Sequence, residues 1–179
     1  MKNSYKTAFG GLITALGTVF MLLASAIPFF EYAVPAAAGI LILFMQAQTD
    51  KLWALGVYAA TSLIGVFVVP NKESIGMYIA LFGLYPIIKS FFEKLPKWAA
   101  YITKSVYFVI DVVAVYYILI NVIGISQELM EDMTKVTLPL LIIAGLIAFL
   151  FFDRALTLFE IRYVKKYKTR IDKLFSSRK

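Results

Sequence analysis

Phe82-Gly83-Leu84-Tyr85-Pro86-Ile87-Ile88-Lys89 is followed by the basic turn Glu93-Lys94-Leu95-Pro96-Lys97-Trp98 and then by Lys104 and Asp111. On this stretch the fold turns. It joins two long apolar runs, places a proline inside the first and sets ionisable side chains where hydrocarbon is expected. A charge within a membrane span costs several kcal/mol, about 2.5–3.5 on insertion scales, so such groups face protein or a polar cavity. The stretch therefore predicts a helical membrane protein with a polar interior.

Pro86 lacks an N–H, and its ring meets the carbonyl four residues back, at Phe82, so a kink is expected there. Gly83 beside it leaves room for another backbone or a ligand. Lys89 lies one turn from the helix end, where its stem can carry the ammonium to the interface. Lys104 lies about 9 Å beyond Trp98 at 1.5 Å per residue and can snorkel in the same way. Asp111 lies about 20 Å beyond it, too deep to reach water by stretching. Lys104 and Asp111 share a face two turns apart, about 10 Å along the axis, a distance that Tyr107 or a water can bridge. Two readings of Asp111 stay open: a buried interhelical hydrogen bond, or a proton, cation or substrate site.

Composition agrees with a lipid solvent. Of the 179 residues 61% are hydrophobic and only 16% charged, more apolar side chain than a soluble domain of this size can hide. The chain has neither cysteine nor histidine. Disulfides, thiol nucleophiles, imidazole bases and the commonest transition-metal ligands are thereby excluded. The net charge of +7 is concentrated in the C-terminal tail and on alternate loops, as membrane topology requires, which argues against nucleic acid as a partner.

A spanning helix needs about 20 apolar residues to cross about 30 Å of hydrocarbon. Runs at 7–27, 52–69, 75–92, 98–123 and 136–158 meet that, and 33–45 is the weakest candidate, short enough to be re-entrant. Charge favours six crossings over five. Lys2 and Lys6 precede the first run and Arg162, Lys165, Lys166, Lys168, Arg170 and Lys173 follow the last, so the positive-inside bias puts both ends in the cytoplasm. Lys51 and the Lys89/Lys94/Lys97 cluster then fall inside, and Glu31, Glu73, Glu128, Glu131 and Asp132 outside. The expected architecture is an all-α six-span bundle over 1–158, with a basic tail over 159–179. Phe159, Tyr163, Tyr167 and Ile171 give that tail the spacing of an amphipathic helix lying on anionic lipid.

The first helix carries Ala8, Gly11, Ala15 and Thr18 at offsets of three and four, on one face. In lipid, small residues let helices approach closely, so this stripe serves either internal packing or the docking of another membrane protein. Thr61 and Ser62, near the centre of the third run, are expected to bond back to their own helix carbonyls. The loops assigned to the outer side supply Glu31, Tyr32, Asn71, Glu73, Tyr78, Asn121 and Gln127. Phe29, Phe30, Tyr116 and Tyr117 stand near them as aromatic walls, the mixture that small-molecule pockets use.

Several chemistries find no motif. There is no Walker A sequence, so any nucleotide-driven step belongs to a partner. A Ser-His-Asp triad is impossible without histidine. No cofactor or metal site is indicated, and no enzyme activity is expected. The two halves show no obvious inverted repeat, which weakens the case for a stand-alone carrier.

Six very apolar spans, both ends inside, and a first helix of the form Ala8-x-x-Gly11-x-x-x-Ala15 resemble the substrate-binding S components of energy-coupling factor (ECF) transporters. The resemblance covers the first five-sixths of the chain in layout and is specific only at Gly11-x-x-x-Ala15, where the family carries an Ala-x-x-x-Ala-like stripe. It implies capture of a small, vitamin-like solute from outside by a protein of the cell membrane. A transmembrane coupling protein and two cytoplasmic ATPases would then drive uptake. Metal-type members use an N-terminal histidine that this chain lacks, so nickel or cobalt is not the implied substrate. Two other classes compete: a membrane scaffold or assembly protein that packs against partner helices, and a small channel or proton-coupled carrier built on Asp111.

Overall fold

The computed structural model describes residues 3–27, 31–121 and 137–163, and among these every regular element is helical. In chain order they are α1 (Asn3–Ala26), α2 (Ala33–Gln48), α3 (Lys51–Val68), α4 (Lys72–Met77), a π-helical turn (Tyr78–Phe82), α5 (Tyr85–Phe92), α6 (Lys97–Asn121) and α7 (Thr137–Tyr163). Five segments are long and apolar enough to cross a membrane: α1, α3, the composite α4–π–α5, α6 and α7. The 16-residue α2 falls short of that length. Its two ends nevertheless lie at opposite ends of the bundle. Next to its start, Glu31 accepts a hydrogen bond from Asn71 Nδ2, and beyond its last turn Asp50 pairs with Lys6 at 2.7 Å.

Two apolar cores meet on α2 and the composite segment. One gathers Ile13 and Met21 of α1, Ile42 and Met45 of α2, Val57 of α3, and Ile75, Tyr78 and Ile87. The other is aromatic: Tyr85 packs against Phe108 of α6 and against Phe149, Phe152 and Leu156 of α7, with Leu43 of α2 and Leu81 beside them. Half of the composite segment's apolar window is buried, against a third or less in the other four. The short helix and the broken helix are thus the central ones. Their neighbours present apolar faces outward, as lipid permits.

Polar side chains set the helix starts. The Asp50 carboxylate accepts from Trp53 N–H at 3.2 Å at the start of α3, and Asn71 Oδ1 accepts from Ser74 N–H at 3.0 Å at the start of α4, satisfying donors the first helical turn leaves free. The Lys6 ammonium, with the Trp53 N–H behind it, holds the Asp50 carboxyl below its usual range.

The kink at Pro86 takes a particular form. Gly83 N–H reaches back five residues to Tyr78 O at 2.7 Å, a π-type bond, so the helix widens by one residue before the proline. Side chains from two neighbouring helices cover the carbonyls at this turn. Tyr58 OH of α3 donates to Ile79 O at 2.7 Å, and Tyr107 OH of α6 donates to Ala80 O at 2.6 Å. What comes close to Gly83 is a pair of tyrosine rings: a Cβ there would stand 2.8 Å from Tyr58 Cδ2 and 2.9 Å from Tyr78 Cζ.

Candidate functional site

Lys104 and Asp111 lie on the same inward face of α6, as their spacing indicates, yet they do not pair. Lys104 Nζ donates to Asp153 Oδ2 of α7 at 2.8 Å, and Tyr85 OH donates to Asp153 Oδ1 at 2.5 Å. All three residues are buried. Lys104 thus finds its counter-charge on α7 rather than along its own helix by way of Tyr107 or a water. Asp153 sits one residue before Arg154, and the two together read as the exit of the last span. In the helix they diverge: Asp153 turns into the aromatic core between Phe149 and Leu156, while exposed Arg154 meets the Tyr101 hydroxyl. The sequence signal was the one-turn spacing of Phe149, Asp153 and Leu156 on a buried stripe.

Lys89 differs from a snorkelling lysine as well. It is 1% exposed, and its ammonium bonds Glu93 one turn on, with Glu160 Oε2 of α7 at 3.7 Å. Two lysines therefore tie α7 to the rest of the bundle, one inside the core and one at its edge. α7 runs unbroken past the expected boundary at 158/159 to Tyr163.

At the opposite end, four of the seven residues that the outer loops supply for solute binding come together, with Tyr116 of the aromatic walls beside them. Asn71 Nδ2 bonds Glu31, whose backbone carbonyl accepts from Ser74 Oγ at 3.1 Å, and Asn71 N–H donates to Ser25 Oγ at 3.3 Å. Glu73 Oε1 accepts from Tyr32 OH at 2.5 Å and from Tyr116 OH at 2.9 Å. The Tyr32 ring is largely open while its hydroxyl is sheltered against Glu73. That burial, and the adjoining carboxylate, keep the phenol protonated far above its ordinary range. Ser25 and Ser74 belong to this cluster and carry no spacing signal of their own.

The remaining assigned residues lie elsewhere. Tyr78 is buried in the first core, a level deeper. Tyr117 is 66% exposed on the outside of α6, and Asn121 Nδ2 donates to the carbonyl of Tyr117. Gln127, Phe29 and Phe30 lie outside the described residues, as does the tail from 164 onward.

The small residues of α1 lie in two rows, of which the stripe named from the sequence is one. Gly10 and Gly17 face inward, where a Cβ would stand 3.2 Å from Val57 Cγ2 and 3.1 Å from Thr61 Cγ2 respectively. Ala8, Gly11 and Ala15 are exposed. Gly11, Thr14 and Ala15 line a groove of about 640 Å³ whose other wall is Gly56, Ala60 and Ile64 of α3. A Cβ at Gly11 or Gly56 would meet nothing within 4 Å. Both helices thus present a Gly-x-x-x-Ala step to the same channel. The α3 half, Gly56-x-x-x-Ala60, repeats in the sequence the spacing of Gly11-x-x-x-Ala15.

Comparison of the chain with protein families, with curated proteins and with solved structures found no match.

Proposed function

We propose that the chain is a membrane subunit that works docked to a partner's transmembrane helix, and that it is the solute-capturing subunit of an ECF-type uptake transporter. The observation that carries the docking is the α1–α3 groove, lined by two Gly-x-x-x-Ala steps, where among the described residues nothing lies within 4 Å of a Cβ at Gly11 or Gly56. Helices associate in lipid through such close backbone approach rather than through a hydrophobic drive. In this reading the chain crosses the membrane six times, α2 included, with both termini cytoplasmic. The solute, a small cationic or neutral molecule, binds at the Glu31/Tyr32/Asn71/Glu73 end. A coupling protein occupies the groove and cytoplasmic ATPases drive the cycle. A cysteine in place of exposed Lys94 should then react with an impermeant thiol reagent only after the membrane is opened, and so should one in place of Ser177. Labelling of either from the outside removes this topology.

A second reading, the scaffold or assembly protein, is favoured by one feature of the polar end. Glu31 and Glu73 are already bonded by Asn71, Tyr32 and Tyr116, so a solute would have to displace those partners. Both readings need the groove. Gly11→Leu with Ala15→Leu should release partner proteins from native-membrane preparations, with thermal stability within a few degrees of wild type because the site is open. If every partner is retained, the groove is a lipid face. Native mass spectrometry separates the two readings: a retained small molecule lost on Glu73→Gln supports capture. An empty protein that gains no stability from a vitamin panel supports the scaffold.

A further inference from the structure

Polar groups without a partner occur both inside the bundle and at its surface. Inside, Thr61 and Ser62 of α3 do not bond back to their own helix, contrary to the expectation for mid-span hydroxyls, and their oxygens are buried unpaired, as is Asp111 Oδ2. At the surface it is charge that is left over. Asp50-Lys51 and Glu93-Lys94 are neighbours in sequence, yet each acid is taken by a different lysine. Asp50 pairs with Lys6 at 2.7 Å, and Glu93 with Lys89. Among the described residues Lys51 and Lys94 have no carboxylate partner.

Both lysines turn to one ring instead. Lys51 Nζ lies 4.9 Å from the centroid of the Phe91 ring, and Lys94 Nζ lies 5.3 Å from it. Lys51 comes from the start of α3 and Lys94 from just past the end of α5. The face of a phenyl ring attracts each ammonium, but it carries no net charge to offset the repulsion between them. Lys51 Nζ also donates to Ser90 Oγ, which leaves the hydroxyl hydrogen of Ser90 for a further acceptor. Phe91 itself is 61% exposed. Leu55, one turn inward from Lys51 on the same face of α3, is exposed as well. Hydrogen-bond donors at the end of the bundle thus adjoin uncovered apolar side chains.

We propose that Lys51, Lys94 and Ser90 hold the phosphodiester of one anionic phospholipid whose head group brings no cation of its own, as in phosphatidylglycerol, with an acyl chain lying over Phe91. The two unesterified oxygens of a phosphodiester share one negative charge and offer one acceptor to each ammonium, and lysine is a compact point charge suited to phosphate. Basic pockets between transmembrane helices recognise lipid head groups in this way. A choline or ethanolamine head group would set a third cation beside the two lysines, so zwitterionic lipids are selected against. Free phosphate would meet the donors and leave the ring uncovered, whereas a lipid serves both. No residue of this site lines the α1–α3 groove or belongs to the Glu31/Glu73 end, so it stands or falls apart from the proposed function.

The test is native mass spectrometry of the detergent-solubilised full chain, titrated with dioleoylphosphatidylglycerol and separately with dioleoylphosphatidylcholine. The first phosphatidylglycerol adduct should saturate at a concentration roughly tenfold below that for phosphatidylcholine, and Lys51→Gln with Lys94→Gln should remove that advantage. Both side chains are exposed, so the variant should keep the wild-type Tm in lipid-free detergent. Lys166→Gln with Lys168→Gln takes the same charge from the tail and should leave the first adduct unchanged. Phe91→Ala keeps both ammoniums and should still weaken the adduct several-fold, which a general attraction of charge does not do. Inorganic phosphate in excess should not displace the lipid. Equal binding of the two lipids overturns the proposal, as does a wild-type adduct in the Lys51/Lys94 variant. Equal losses from the two lysine pairs would reduce the effect to general basic charge, and displacement by phosphate would make it a free-anion site; either result also overturns it.

Discussion

Lys104→Met is expected to cost about 3–5 kcal/mol, because it strands the Asp153 carboxylate inside an aromatic core with only the Tyr85 hydroxyl for company. Asp153→Asn should cost a similar amount for the mirror reason, a buried ammonium without its counter-charge. Combining the two removes both charges, and an amide at position 153 still offers Tyr85 an acceptor. Most of the loss should therefore return in the double variant, since pairs of buried charges are often replaceable by neutral groups at little net cost. The double-mutant cycle in detergent, read as Tm or denaturant midpoint, checks this directly. Additive losses would mean that the 2.8 Å contact contributes nothing specific. Because α7 packs on the bundle chiefly through this aromatic core and the Lys89–Glu160 contact, the single variants should also become sensitive to proteolysis near α7.

How much of this was legible in the sequence depends on which neighbours a residue needs. The proline kink required only Phe82 and Pro86, four residues apart, and it is there. The inward face of α6 followed from the spacing of Lys104 and Asp111, and it too is there. The partner of Lys104 lies 49 positions away on another helix, where no periodicity in α6 can point to it. Proximity in sequence favoured Asp111 and was misleading, because two turns of helix separate the groups by more than a hydrogen bond. The same limit explains Lys89: an amphipathic lysine near a helix end looks free to snorkel until Glu160 arrives from α7. At the polar end Asn71 was visible as a turn residue, and a turn residue preceding a helix is a capping residue first. Its side chain serves Ser74 N–H and Glu31 at once.

α2 is a 16-residue apolar helix, shorter than the five span-length segments, and it makes the closest backbone approach at a glycine among the described residues. Its run Ala36-Ala37-Ala38-Gly39 is small-sided. Smallness is what the site needs. Pro86 has no N–H to offer the carbonyl of Phe82, and that carbonyl points instead at the bare Cα of Gly39. A Cβ there would overlap Phe82 O, stand 3.0 Å from Phe82 C and 3.3 Å from Phe152 Cζ. Backbone cannot swing aside as a side-chain tip can, so α2 must retreat from the π-turn. Gly39→Ala is accordingly expected to destabilise by about 1–3 kcal/mol, the usual range for overpacking, and Gly39→Leu to prevent folding. Gly56→Ala is the control: a helical glycine with open space beside it, where alanine should be neutral or stabilising by up to about 1 kcal/mol. If Gly39→Ala melts with wild type while Gly56→Ala does too, α2 does not bear on the π-turn. If it is destabilised as expected, the same retreat should loosen Ile79 and Ala80, whose carbonyls the Tyr58 and Tyr107 hydroxyls hold.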